Sequence, residues 1–173
     1  MITLISHRGN IDGPDSWNEN KPSYIEAALN SGFNVEVDVW YDVNVGRFFL
    51  GHDYKQFETT VDLLLDRRVW SHAKNEAAFV KLRDLDANVF WLKDDGITIT
   101  HHAYVWTDTM NISNYIRTSD TVFVDLDGKK TLEFFQSTGY TLLNDQQKSR
   151  YNFLVCSDYV DRLQKLMNEK YEK

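Results

Sequence analysis

The chain has 173 residues, of which 42% are hydrophobic, and its formal net charge is -7. This length suits one well-packed domain. Lysine and arginine are scattered and form no basic stripe, which argues against nucleic-acid binding. No apolar run is long enough to cross a bilayer, so we expect no stable membrane insertion. Cys156 is the only cysteine, which excludes an internal disulfide and is typical of a cytoplasmic protein.

Strand-like and helix-like segments alternate along the chain. In order, the patterns predict a strand at 2–6, a loop at 10–20, a helix at 22–30, strands at 34–39 and 48–50, a helix at 61–65, a strand at 69–73, a helix at 76–85 and a strand at 88–92. Asp94-Asp95-Gly96 then predicts a hairpin turn into residues 97–100. Further strands are predicted at 104–107, 121–124 and 153–157, with helices at 131–138 and from Val160 onward.

This alternation favours a mostly parallel α/β sheet, either open or closed as a barrel. A (β/α)8 barrel typically needs about 250 residues. A compact, trimmed (β/α)8 TIM-barrel-like domain over residues 1–173, with some helices reduced to loops, reconciles the alternation with the short chain. An open doubly wound sheet is the alternative. Neither a Gly-x-Gly-x-x-Gly nor a Walker motif supports nucleotide binding.

Two carboxylates share one face of the second strand. Residues two apart in a strand point the same way, so Glu36 and Asp38 lie opposite the valines that alternate with them. Paired carboxylates are costly to bury unless a positive charge lies between them, and a divalent cation meets that need. The pair therefore predicts a metal site, with a solvated strand face as the alternative.

A similar pattern follows in the next predicted parallel strand. His72 and Lys74 share a face. If this strand lies beside the Glu36 strand, His72 completes the cation shell and Lys74 reaches a phosphate oxygen. The alternative is a strand end that points into water.

Two histidines follow predicted strands. His7 precedes Arg8 and Gly9, and His52 precedes Asp53. Histidine exchanges protons near neutral pH, and the planar arginine fork suits phosphate. Asp53 is placed to orient His52.

These motifs together resemble the glycerophosphodiester phosphodiesterase family, which belongs to the phospholipase-C-like TIM-barrel phosphodiesterases. The resemblance covers residues 3–53 closely. Its motifs are His7-Arg8-Gly9, Glu19-Asn20, Glu36-Val37-Asp38 and His52-Asp53. Beyond them, Ser71-His72-Ala73-Lys74 is similar to the family's next strand, with His72 where the family usually has a carboxylate. Cys156-Ser157-Asp158-Tyr159 is similar to a late-strand ending of the family.

The resemblance implies an activity and a set of roles. The activity is hydrolysis of a small phosphodiester that depends on a divalent cation (Mg, Mn or Ca), as part of lipid metabolism. In the implied roles Glu36, Asp38 and His72 bind the metal, Arg8 and Lys74 bind phosphate, and His7 and His52 act as general acid and base. A nitrogen ligand at His72 favours Mg, Mn or Zn over Ca.

Two other functions remain open at this stage. One is a catalytically reduced protein that keeps the cation and phosphate site, and the other is a phospholipid-cleaving enzyme similar to sphingomyelinase D. The oligomeric state is undetermined. His101 and His102 are expected to point in opposite directions and not to bind one ion together, because adjacent residues on a strand do so.

Overall fold

The computed structural model describes residues 2–92, 96–108 and 120–168. Its strands are β1 (Thr3–His7), β2 (Asn34–Asp42), β3 (Arg47–Leu50), β4 (Phe57–Thr59), β5 (Val69–Ala73), β6 (Val89–Phe90), β7 (Ile97–Ile99), β8 (Val105–Thr107), β9 (Thr121–Val124) and β10 (Leu154–Ser157). Its helices are α1 (Pro22–Asn30), α2 (Val61–Leu64), α3 (Glu76–Asp84), α4 (Lys129–Thr138), α5 (Asp145–Lys148) and α6 (Val160–Asn168), with a short 3-10 helix at Tyr140–Leu142.

All ten strands belong to one mixed sheet. β1 lies at its centre and pairs in parallel with β2 and β10. On one side β2 continues in parallel to β5, which pairs with β6, and on the other side β10 continues through β9 to β8. The antiparallel members are β3, β4 and β7, at the ends of the paths. The mixed α/β class is therefore confirmed.

The described part of the sheet is not closed into a barrel, because no ladder joins β6 to β7. We call this gap the seam. Two hydrogen bonds cross it: His101 N–H donates to the Val89 carbonyl (2.7 Å), and the Thr98 hydroxyl donates to the Trp91 carbonyl (2.8 Å). The strands on either side of the seam thus lie close together without forming a ladder.

The two faces of β2 have different surroundings. Val35, Val37 and Val39 are fully buried and pack with the apolar residues of α1 and α3. Glu36 and Asp38, on the opposite face, are also buried. A strand buried on both faces is typical of a parallel sheet covered by helices, and it places two acids where water has little access.

The face of the sheet that carries Glu36 has its own apolar cluster, which we call the inner cluster. It consists of Ile5, Trp70, Phe90, Trp106, Val122, Leu154 and Cys156, which come from β1, β5, β6, β8, β9 and β10. The Phe90 and Trp106 rings stack with their centroids 4.2 Å apart. Side chains from both sides of the seam therefore share one core.

Most predicted elements are confirmed within one or two residues, but the hairpin is wrong. Residues 94 and 95 of its turn lie outside the described part of the chain. β7 pairs with β8 and not with β6, as Ile97 lies opposite Thr107. β4 was not predicted, because Phe57-Glu58-Thr59 is too short to show a period.

The expectation that His101 and His102 point in opposite directions is also wrong. The two residues lie in the turn between β7 and β8, not on a strand. Their Nε2 atoms lie 3.2 and 3.3 Å from the same Asp86 oxygen.

Among the described residues, no helix is both long and apolar enough to span a membrane.

We predict that Phe90→Ala lowers the free energy of unfolding by about 3–5 kcal/mol, because it leaves a cavity in the inner cluster. Phe90 is 1% exposed. Urea unfolding measures the change. Val80→Ala on the exposed side of α3 is the control and should stay within about 0.5 kcal/mol of the unaltered chain. Equal losses in the two variants would contradict the assignment of Phe90 to the core.

Candidate active site

Strand register brings the predicted acids and histidines together. His7, the last residue of β1, lies beside Glu36, and Asp38 lies beside His72 in β5. Neighbours at the same register in a parallel sheet project to the same face. The structure therefore places these four side chains in one group near the carboxyl ends of the strands.

Asp38 is at the centre of this group and is 1% exposed. Its Oδ2 lies 2.9 Å from Arg8 Nε and accepts a hydrogen bond from Asn20 Nδ2 (3.0 Å). Its Oδ1 lies 3.1 Å from His72 Nδ1 and 3.4 Å from Lys74 Nζ. Burial alone raises the pKa of Asp38, but these neighbours outweigh it and hold the pKa far below its usual value. Asp38 is therefore ionised.

Glu36 is buried with less compensation. Its Oε1 lies 3.9 Å from His72 Nδ1 and its Oε2 lies 3.9 Å from His7 Nε2. The Oε2 atom accepts no hydrogen bond from the described residues. Burial, together with the charge of Asp38, raises the pKa of Glu36. This buried acceptor with no donor is the feature that a cation would satisfy.

His72 has the orientation of a metal ligand. Its Nε2–H donates a hydrogen bond to the Leu92 carbonyl (3.3 Å), and its Nδ1 faces the carboxylates of Glu36 and Asp38. Metal-binding histidines usually donate their other N–H to such a carbonyl, and this fixes the tautomer. The ring stacks on Phe90 at 5.0 Å. One atom from each of Glu36, Asp38 and His72 lies within 4.8 Å of the others. The set fits one divalent cation.

His7 is held by an acid at the far end of the chain. Its Nδ1 lies 2.8 Å from Asp158 Oδ1, just after β10. Asn10 Nδ2 donates to the same oxygen (2.8 Å). Burial lowers the pKa of His7, but the Asp158 hydrogen bond and the charge of Glu36 outweigh it, so the pKa lies above its usual value. Because Nδ1–H donates its hydrogen bond to Asp158, Nε2 is the nitrogen that is available for proton transfer.

Arg8 and Gly9 adopt left-handed backbone conformations in succession, with φ of 52° and 91°. A side chain at Gly9 would come within 2.7 Å of Tyr24, so the position requires glycine. The turn places the Arg8 side chain between Asp38 and Glu19. Arg8 Nη1 lies 3.2 Å from Glu19 Oε2. Both predicted phosphate ligands, Arg8 and Lys74, thus contact carboxylates in this structure.

A cavity of about 130 Å³ opens beside the group. Its polar lining includes His7, Arg8, Glu36, His72 and Asp108, and its apolar lining is Phe90, Leu92, Trp106, Val124, Leu126 and Cys156. Its volume is below the roughly 300–1,000 Å³ of ordinary small-molecule pockets. A phosphoryl-sized group suits this space.

His52 lies apart from this group. It follows β3 on a loop, and Gly51 N–H donates to the Asp38 carbonyl (3.1 Å). The His52 side chain is 47% exposed, contacts Asp53 (Nδ1 to Oδ1 2.7 Å) and does not line the cavity. The structure therefore assembles six of the seven predicted site residues and leaves His52 on a neighbouring loop.

The predicted site residues did not include Asp158, Asn10 or Asn20. Asn10 is fully buried and donates to Glu19 (2.8 Å) as well as to Asp158. Asn20 is bonded to both the backbone N–H and the carboxylate of Asp38. Asn20 and Asp158 belong to the segments Glu19-Asn20 and Cys156-Ser157-Asp158-Tyr159, which contribute to the family resemblance, but neither segment indicated these roles. Asn10, in a turn-rich loop, has no such sequence signal.

Comparisons with protein-family models, curated proteins and solved structures found no match for this chain. The motifs and the geometry of the site therefore carry the functional argument.

We predict that Asp158→Asn destabilises the metal-free protein more at pH 6 than at pH 9. His7 has a raised pKa when folded, so its stabilising contribution is complete below the unfolded pKa of about 6.5 and is lost as pH rises through the folded pKa. The expected loss is about 1–3 kcal/mol at the lower pH, measured by urea unfolding in chelator.

Asp161→Asn is the matched control for this prediction. Asp161 pairs with Lys165 on the exposed side of α6, so its effect should change little between the two pH values. A loss in Asp158→Asn that is independent of pH would contradict the proposed pairing with His7. NMR titration gives a second readout, because the pKa of His7 should fall in the variant.

Proposed function

We propose that the protein is a divalent-cation-dependent phosphodiester hydrolase that acts on glycerophosphodiesters or similar small phosphodiesters. The observation that carries the proposal is the buried Glu36–Asp38–His72 group beside the His7–Asp158 pair. A site that only binds phosphate has no need of an oriented imidazole. This arrangement favours membership of the glycerophosphodiester phosphodiesterase family.

In this proposal Glu36, Asp38 and His72 hold the cation. When bound, a divalent cation neutralises charge on the phosphoryl oxygens and favours nucleophilic attack at phosphorus. The unpaired oxygen of Glu36 supports this assignment, because such an acceptor is otherwise costly in a buried place. The nitrogen of His72 favours Mg, Mn or Zn over Ca.

His7 transfers the proton. Asp158 holds Nδ1–H and stabilises the imidazolium, so Nε2 accepts a proton from the attacking hydroxyl or returns one to the leaving alcohol. Phe90 and Trp106 in the cavity lining exclude water and strengthen the electrostatic interactions.

Arg8 orients the phosphate. It lines the cavity and is held between Asp38 and Glu19, so its guanidinium stays fixed with little entropy to lose. Lys74 adds a second positive charge to the group through Asp38. The cavity volume of about 130 Å³ is consistent with a bound phosphoryl group whose alcohol substituents stay outside the cavity.

A TIM-barrel-like fold is the fold that this proposed function implies. We propose that the sheet is a trimmed TIM-barrel-like wall with a single seam at β6 and β7, because both sides of the seam contribute to the inner cluster. The cytoplasmic location also stays a proposal, based on the single cysteine.

One observation favours a second candidate, a catalytically reduced protein that binds cation and phosphate. His52, the expected partner of His7, is exposed and bonded to Asp53. If the reaction requires two histidines at the phosphorus atom, this structure supplies only one of them.

The proposal is tested by measuring glycerol 3-phosphate release from a panel of glycerophosphodiesters with Mg, Mn or Ca and with chelator. We expect cation-dependent release, with kcat about 10²–10⁴-fold lower in His7→Ala because an acid/base group is lost. Glu36→Gln should lose release, whereas Glu26→Gln, an exposed matched control on α1, should not.

His52→Ala separates the two candidates. A loss of release as large as that in His7→Ala would mean that the loop brings His52 to the substrate, and an unchanged rate would assign proton transfer to His7 alone. If no substrate is cleaved while the cation still binds in a Glu36-dependent way, the enzyme is excluded and the binding protein is favoured.

We predict that His72→Glu shifts the preference of the site from Mn toward Ca. The change replaces a nitrogen ligand with a hard, negatively charged oxygen ligand, and Ca prefers oxygen. Isothermal titration of the two ions into both proteins should show the ratio of Ca to Mn affinity rising at least about tenfold. An unchanged ratio would show that His72 is not a ligand.

A further inference from the structure

A second group of metal-ligating side chains lies at the opposite end of the strands from the site described above. Asp86 comes between α3 and β6, and His101 and His102 lie in the turn between β7 and β8. The group therefore joins segments on the two sides of the seam. Its residues are independent of the phosphodiesterase proposal.

The spacing of the three side chains fits one tetrahedral ion. The Nε2 atoms of His101 and His102 lie 3.2 and 3.3 Å from Asp86 Oδ1. Two ligands that are each about 2.0–2.1 Å from a tetrahedral zinc ion are roughly 3.3–3.4 Å apart. One atom from each residue lies within 4.8 Å of the others.

A cavity of about 560 Å³ adjoins the group. Asp86 and His102 line it together with Trp70 and Asn88. The cavity therefore leaves room for a fourth ligand beside the three side chains.

We propose that Asp86, His101 and His102 bind one zinc ion whose open coordination position faces this cavity. Two imidazoles and a carboxylate are ligands that zinc prefers, and three protein ligands leave one position for water or an anionic group. The ion joins the end of α3 to the β7–β8 turn and so closes the seam, which is bridged otherwise by two hydrogen bonds of the described residues.

Imidazole NMR of the full chain tests the site directly, because the chain has five histidines that single substitutions can assign. We expect one equivalent of zinc to shift the His101 and His102 signals and to do so equally in His72→Ala, which lacks a ligand of the other group. Zinc shifts confined to His7 or His72, or no shifts at all, would overturn the proposal.

Thermal unfolding with and without zinc gives a second readout. Zinc should raise Tm in the unaltered chain and in His72→Ala, because an ion that binds only the folded state stabilises it. His102→Ala and Asp86→Asn, each combined with His72→Ala so that the other group lacks a ligand, should lose this rise and bind zinc more than about tenfold more weakly, since even outer-shell partners of metal ligands contribute that much. A rise in Tm that persists in both variants would show that zinc binds elsewhere.

Discussion

The carboxylates of Glu36 and Asp38 lie side by side in a part of the sheet that water hardly reaches. Their mutual repulsion determines which side chains have to surround them. Removing each charge from water costs several kcal/mol, so the surrounding residues have to compensate. For Asp38 the compensation comes from Arg8, His72 and Lys74. Glu36 has weaker compensation, from His7 and His72 at 3.9 Å, and burial together with the charge of Asp38 raises its pKa. Arg8, His72 and Lys74 thus contact Asp38 even without a bound ligand.

This constraint explains why the strand that bears the acids has to be central. β2 pairs with β1 and β5, so it receives His7 from one neighbour and His72 from the other at the same level. An edge strand would have one neighbour and an unpaired backbone edge. The valines on the back of β2 pack against α1 and α3 and fix the strand, and rigid supports of this kind hold functional side chains in place.

Much of this arrangement could be predicted from local sequence. The alternation of valine with Glu36 and Asp38 predicts a strand with two acids on one face, and parallel neighbours with polar ends predict a shared site. His72 was expected near the two acids if its strand lay beside the strand of Glu36, and the register places β5 beside β2 with His72 opposite Asp38. Most strands and helices with a clear period were located within one or two residues, although β2 continues to Asp42, three residues beyond its predicted end.

Other features could not be predicted, because they depend on contacts between distant segments. The pairing of His7 with Asp158 spans 151 residues, and no local pattern encodes it. β7 pairs with β8, although the Asp94-Asp95-Gly96 turn sequence predicted that it would pair with β6. In strands this short, tertiary contacts outweigh the preference of the turn. His101 and His102 converge because a turn, unlike a strand, does not alternate its side chains.

The parallel pairing of β1 with β10 has a consequence for the order in which the site is completed. The chain is synthesised from its amino end, and early segments begin to fold first. A growing chain that has β1, β2 and β5 already contains the two acids and His72, but its His7 has no Asp158 until β10 docks beside β1. His7 therefore acquires its orientation only in the finished molecule, and a chain that ends before β10 retains the paired acids without the oriented imidazole.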